Sequence, residues 1–255
     1  MSRTPSILFI GGHDPSGGAG LHADIETAVA HGCRSYSLIT CLTTQDSKNV
    51  QAIHPQPVEN LSAQFDLLLQ DVQPDIVKIG LIGNAAIANL LGEKLSLLNI
   101  PLVLDPVLAA GGGKKLAGER LLESLRNNLL PITTLITPNR AEARRLSKVD
   151  NTPGAASKLL SCGCQYVLIT GADEAQESEV TNTLFLAQQP AIDFHYPLLP
   201  HRYHGSGCTL AAACTSNLAQ GKSIEQSVAD AQHYTWQSLQ HAEHPGQGQH
   251  LPKRR

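Results

Sequence analysis

The stretch Ile7-Leu8-Phe9-Ile10-Gly11-Gly12-His13-Asp14-Pro15-Ser16-Gly17-Gly18-Ala19-Gly20 runs from an apolar segment into a loop with five glycines in ten residues, and then into a helical pattern. A short apolar run, a glycine-rich turn and a helix form the repeating unit of parallel sheets, whose strands are buried on both faces. The unit recurs. Apolar runs at 35–41, 76–79, 102–104, 134–136 and 167–169 are bounded by Gly, Pro or Asn, and helical periodicity fills 20–31, 57–71, 84–98, 118–128, 140–147 and 154–161. The segment 180–196 places Leu184, Leu186, Ile192 and Phe194 two apart around a Gln-Gln-Pro turn, the pattern of an antiparallel hairpin at a sheet edge. Helices at 208–218 and 224–240 close the pattern. The expectation is an α/β fold with a mainly parallel, doubly wound sheet, one domain over 1–240, and a polar, disordered tail over 241–255.

Composition removes several classes of function. Nineteen Lys plus Arg against 22 Asp plus Glu leaves a net charge of −3, without the basic excess that a nucleic-acid backbone demands. The uncharged stretch between Lys78 and Glu93 is interrupted by Gly80, Gly83, Asn84 and Asn89 and falls short of the roughly 20 apolar residues of a bilayer span. No secretory pattern opens the sequence, and six scattered cysteines do not make a disulfide framework. Reduced thiols in a cytoplasm are expected.

In open parallel sheets, ligands bind at the carboxyl ends of the strands, so the loops there carry the chemistry. The 11–20 loop lets a backbone approach a ligand closely, yet it matches neither the dinucleotide fingerprint nor a P-loop ending in Lys-Ser/Thr. Asp24, one turn into the following helix, either faces the same pocket or is an ordinary charge favoured by the helix dipole. After the second strand, Cys41-Leu42-Thr43-Thr44-Gln45-Asp46 offers Gln45, whose amide can read the edge of a polar ring or simply sit exposed. Asp105-Pro106-Val107 places an acid at a strand end, followed by the basic loop Gly111-Gly112-Gly113-Lys114-Lys115. In Thr137-Pro138-Asn139-Arg140-Ala141-Glu142, the pair Asn139 and Glu142 can hold a hydrated cation or form a reciprocal helix cap. Finally, His204-Gly205-Ser206-Gly207-Cys208-Thr209 stands ahead of an Ala-rich helix, an anion cradle whose field lowers the pKa of a thiol at Cys208.

Together, Gly-x-Asp-Pro-Ser-Gly-Gly-Ala-Gly-x-x-Ala-Asp over 12–24, Asp-Pro-Val, Thr-Pro-Asn-x-x-Glu and His-Gly-Ser-Gly-Cys-Thr closely resemble the hydroxymethylpyrimidine and phosphomethylpyrimidine kinases of thiamine biosynthesis, within the ribokinase-like superfamily. The resemblance implies a three-layer α/β/α fold, usually dimeric, and transfer of the γ-phosphoryl of ATP to an aminopyrimidine alcohol and then to its monophosphate. By motif position, Gln45 and Asp24 would recognise the pyrimidine, with Gly12 and Leu81 or Val107 lining its ring. Gly205, Ser206 and Gly207 would form the anion hole, and Cys208 would stand where related sugar kinases carry an aspartate base. Asn139, Glu142, Thr170 and Thr209 would serve the ATP phosphates, with Glu142 and Asp105 toward magnesium. One departure stands out: many members carry lysine in a Leu-x-Lys-Gly-Gly strand end, whereas this chain reads Leu168-Ile169-Thr170-Gly171-Ala172. Lys78, Lys114, Lys115 and Arg202 are candidate replacements. The rival readings are a pyridoxine or pyridoxal kinase, a pyrimidine-binding regulatory protein without catalysis and, far behind, a dinucleotide-dependent oxidoreductase.

Overall fold

The computed structural model describes residues 3–109, 117–172 and 178–255. A nine-stranded sheet has the order β3-β2-β1-β4-β5-β6-β7-β8-β9. Its central strands β1 (Ser6–His13), β2 (Arg34–Gln45), β4 (Ile76–Ile79), β5 (Leu102–Leu104), β6 (Leu135–Ile136) and β7 (Tyr166–Ile169) pair in parallel. The hairpin β8 (Glu179–Leu186) and β9 (Ile192–Pro197) adds an antiparallel edge, as the two-residue alternation predicts.

Alternate residues of each central strand feed opposite cores. Leu8, Ile10, Val77, Ile79 and Leu104 pack beneath α2 (Val58–Asp71), α3 (Ala85–Ser96), α4 (Glu119–Ser124), α5 (Arg140–Ser147) and α6 (Thr152–Ser161). Ile7, Phe9, Ile76, Val103 and Leu168 pack against α1 (Gly20–Ala30), α7 (Ser206–Ala219) and α8 (Ile224–Gln240). A strand with both faces covered cannot show polar alternation, which is why these runs read as continuously apolar. Three layers result, as expected.

Two features depart from the reading of the sequence. The segment after β2 is not a free loop: β2 continues through Gln45 and pairs with an unforeseen edge strand, β3 (Val50–Pro55). An edge strand can expose one face and one row of backbone groups, so it needs no apolar pattern. The segment 241–255 is not disordered either. His250 donates its N–H to the Arg202 carbonyl at 2.9 Å and accepts from the His204 N–H at 2.9 Å, Glu243 and Leu251 pair, and the His250 ring stacks on His201 and His244 with centroids 4.0 and 4.5 Å apart. Backbone pairing, with no apolar stripe, holds this segment to the domain. Among the described residues, no helix is long and apolar enough to cross a membrane.

Candidate active site

The loops at the carboxyl ends of β1, β2, β4, β5, β6 and β7 line a cavity of about 690 Å³. Gly12, Gln45, Leu81 and Val107 stand in its wall, as do Asn139, Glu142 and Thr170 and the run Gly205–Cys208. Residues separated by up to about two hundred positions in sequence thus converge, as the topology of a parallel sheet requires.

Asp14 organises the first glycine loop. Its carboxylate accepts from the Ser16 N–H at 2.8 Å, the Ser16 hydroxyl at 2.7 Å and the Ala19 N–H at 2.8 Å, and bonds His204 Nε2 at 2.8 Å. The bond to His204 ties the 11–20 loop to the loop ahead of α7. Burial raises the Asp14 carboxyl, but hydrogen bonds from His204, Gln45 and Ser16 outweigh it and hold the group well below the usual carboxylate range. Its stabilising contribution is therefore present above the ordinary value of 3.8 and is lost as acid protonates the folded state. In acid unfolding followed by circular dichroism, wild type and Asp14→Asn are expected to differ at neutral pH and to converge below pH 3.8. A gap that stays constant would show that ionisation of Asp14 plays no part.

Gly205 opens α7 with φ +86° and no side chain caps the helix, so the N–H groups of its first turn face the cavity. The helix places Cys208 in that turn, but the thiol is not activated as its position suggests. Burial comes first, and the nearby Asp105 and Asp24 add to it, pushing the thiol up to about 12 despite Lys78 and a backbone hydrogen bond from Gly20. Near neutral pH Cys208 is a thiol. Desolvation and two carboxylates act against the lowering expected from the helix field.

The floor beneath Cys208 is ionic. Lys78 lies on β4 at a position facing the α1 and α7 layer, and its ammonium donates to Asp24 at 2.9 and 3.1 Å and lies 3.8 Å from Asp105 Oδ2. Lys78 and Asp24 are 0% exposed, so neither can be screened by water. Burial raises Asp24 to about 6, opposed by Lys78. Asp24 is thus not an ordinary first-turn charge: it lines the cavity, and both its oxygens accept from Lys78. For the same reason Lys78 is no free phosphate cation.

Asn139 and Glu142 settle into the reciprocal cap. Asn139 accepts from the Glu142 N–H at 2.8 Å, while Glu142 accepts from the Asn139 N–H and, through its other oxygen, from the Leu108 N–H, both at 3.1 Å. Thr209 does not line the cavity. It is 0% exposed, donating to the Gly205 carbonyl at 2.8 Å and accepting from Arg254 Nε at 2.9 Å, so its expected phosphate contact is replaced by a structural one.

Known proteins share this fold. The phosphomethylpyrimidine kinase family model matches residues 14–253. The chain belongs to the phosphomethylpyrimidine kinase family. It is 34% identical over 250 residues to the hydroxymethylpyrimidine/phosphomethylpyrimidine kinase of Synechococcus elongatus, covering 96% of this chain and 95% of that one. Among solved structures, the phosphomethylpyrimidine kinase of Clostridium difficile superposes with a TM-score of 0.79 at 30% identity, covering 93% of this chain and 100% of the other. Pyridoxal kinase of Staphylococcus aureus in complex with AMP-PCP and pyridoxal gives a TM-score of 0.90 at 26% identity, covering 98% and 93%. The ribokinase-like architecture is therefore shared with kinases of two ring alcohols.

Within this family, the departure at Thr170 has structural company. Thr170 sits at the cavity with its N–H on the Pro138 carbonyl at 3.0 Å, and the Arg140 guanidinium packs against the adjacent Gly171. The motif that nominates Asn139 and Glu142 thus also brings Arg140 to this strand end, a contact that depends on how the start of α5 packs against the end of β7. Arg202 lines the cavity too, whereas Lys114 and Lys115 lie outside the described residues. Asp14, His204 and Thr137 are likewise additions to the sequence-derived site; Thr137 lines the cavity with a buried hydroxyl that has no hydrogen-bond partner.

Proposed function

We propose that this chain transfers the γ-phosphoryl of ATP to 4-amino-5-hydroxymethyl-2-methylpyrimidine and then to the resulting monophosphate, acting in the cytoplasm as a homodimer. One observation carries the reading: the uncapped start of α7 and the Gln45 amide open into the same cavity, with Cys208 between the anion cradle and a buried ionic floor. Phosphoryl transfer asks a protein mainly for alignment and for donors aimed at a dispersed anion. The Ser206, Gly207 and Cys208 N–H groups supply the donors. Gln45 and the wall of Gly12, Leu81 and Val107 hold the flat ring so that its hydroxymethyl arm reaches Cys208. As a neutral thiol, Cys208 donates a hydrogen bond to the attacking oxygen and takes no proton; the hydroxyl proton leaves late, as the new O–P bond forms, to an oxygen of the transferring phosphoryl group. In the second step the acceptor is already an anion, so no base is required.

Val180, Tyr196, Leu198 and Trp236 give the far end of the cavity an apolar wall suited to an adenine. Asp105 Oδ2 is buried without a hydrogen-bond partner, with the Lys78 ammonium 3.8 Å away, and is an oxygen of the hard type that magnesium takes. Asp105 would hold the ion directly, and Glu142, whose oxygens both accept backbone N–H groups, would reach it through water. When bound, the ion neutralises the charge of the ATP phosphates. Ile39 and Leu42, exposed on β2, support the dimer.

The decisive experiment incubates the chain with ATP, magnesium and the pyrimidine alcohol, and separates mono- and diphosphate products. Pyridoxal in parallel tests the reading closest to the second group of structural relatives. A strong preference for pyridoxal removes the substrate assignment, and ligand binding without ADP release removes catalysis. Gln45→Leu is expected to raise KM for the pyrimidine alcohol about fivefold, the equivalent of one hydrogen bond of about 1 kcal/mol, while KM for ATP stays near the wild-type value. Equal changes in both constants would place Gln45 outside the acceptor pocket.

A further inference from the structure

Arg254 lies outside the sequence region matched by the family, in a segment whose composition suggests no structure. It is nevertheless 4% exposed. Its guanidinium uses every edge: Nε donates to the Thr209 hydroxyl at 2.9 Å, Nη1 to the Gly17 carbonyl at 3.4 Å and to Glu26 Oε2 at 3.2 Å, and Nη2 to the Gly18 carbonyl. Its own carbonyl accepts from the Tyr234 hydroxyl at 2.8 Å, and the preceding Lys253 N–H bonds the Ser238 carbonyl at 2.9 Å, so the backbone that presents it is fixed to α8.

These contacts lie behind the anion cradle. Gly17 and Gly18 belong to the first glycine loop; Thr209 is in the first turn of α7 and bonds back to Gly205. A Cβ on Gly205 would meet both the Gly18 carbonyl and Arg254 Nη2, so the two loops and the guanidinium are in close packing. On the cavity side the same two loops are joined by Asp14 and His204. The start of α7 is thus pinned from both sides.

We propose that Arg254 is a positioning residue for phosphoryl transfer, setting the orientation of the Ser206–Cys208 N–H groups by bracing the 11–20 loop against the first turn of α7. The inference rests on the kinase reading above and adds to it a group that touches neither substrate. A planar fork with donors in three directions does what an ammonium cannot, so lysine is not an adequate replacement.

The test compares Arg254→Ala, Arg254→Lys and, as a control, Arg255→Ala, whose exposed side chain pairs with Glu26. Arg254→Ala is expected to lower kcat about 10²-fold through misplacement of the donors, with KM for the pyrimidine alcohol near the wild-type value. Guanidinium ion, filling the vacated site, is expected to restore part of kcat. Arg254→Lys stays low and Arg255→Ala behaves as wild type. In substrate-free protein, amide exchange at Ser206–Cys208 is expected to accelerate in Arg254→Ala while the unfolding midpoint moves little. A wild-type kcat in Arg254→Ala overturns the proposal. So does a loss shared by kcat, KM and the midpoint that guanidinium does not reverse, because that is the signature of a purely structural brace. If the wild-type chain releases no ADP with the pyrimidine, the kinase reading has failed instead, and the exchange measurement still decides whether Arg254 orders the cradle.

Discussion

Lys78→Met is expected to destabilise the fold by about 3–5 kcal/mol, the usual cost of breaking a buried ion pair from one side. The cause is not the loss of an attraction alone. Methionine fills much of the space of the lysine stem, but it leaves Asp24 and Asp105 facing each other in a region where Asp24 has no exposure and Asp105 only 5%. Water cannot solvate them. The escape is protonation: Asp24, raised to about 6 by burial even with its cation present, rises further without it. The defect should therefore shrink as pH falls toward 5, since the variant recovers stability by taking up a proton in the folded state. Adding Asp24→Asn to Lys78→Met should recover part of the loss at neutral pH, and the double-mutant cycle measures the coupling. Urea unfolding of the wild type, Lys78→Met, Asp24→Asn and the double variant at two pH values supplies the numbers. If Lys78→Met unfolds at the wild-type midpoint, the ionic floor has no energetic role and some unrecognised opening must admit water to it.

This buried pair also marks where sequence reading stops. The strands and crossover helices are legible because each must bury apolar side chains at a fixed period, and the bounds of β4, β5, α5 and α8 follow from that period to the residue. The glycine loops are legible because few residue types permit a backbone to approach a ligand. Lys78 is not legible in the same way. Within Ile76-Val77-Lys78-Ile79 it reads as one polar residue in a strand, and only the register with α1 reveals that Asp24 is its partner. Thr209 is illegible for a related reason: the helix start names the turn, but its side chain turns away from the cavity to the Gly205 carbonyl and to Arg254, a residue 45 positions away. That brace comes from a segment with no apolar period, held by backbone pairs that composition does not encode. The β3 strand is illegible for another reason: it is a six-residue edge whose residues are mostly half-buried or exposed. What the sequence conveys is the shape of the site; its electrostatics arise from contacts between distant segments.

Gly205→Ala is expected to reduce kcat by about 10³-fold, the effect of removing or misaiming an oxyanion-type donor, with little loss of pyrimidine binding. Two physical terms act together. At φ +86° a residue with a Cβ costs about 1–2 kcal/mol in backbone strain. That alone would be tolerable. The second term is steric, because the new Cβ would collide with the Gly18 carbonyl, a backbone atom of a loop tied down by Asp14 and Arg254 and unable to give way. The start of α7 must then move, and its N–H groups move with it. Gly207 provides the contrast: it has no positive φ, and nothing lies within 4 Å of a Cβ built there. Gly207→Ala should therefore fold normally and lose activity only to the extent that a methyl group intrudes on the transferring phosphoryl. The two alanines separate backbone geometry from cavity volume. Calorimetric titration with the pyrimidine alcohol checks that the Gln45 end of the cavity is intact in both. Should Gly205→Ala turn over within tenfold of wild type, or should Gly207→Ala prove the more damaging, the donors that matter are not those fixed by the turn at Gly205, and charge on side chains such as Arg140 or Arg202 must then provide the main stabilisation of the transferring group.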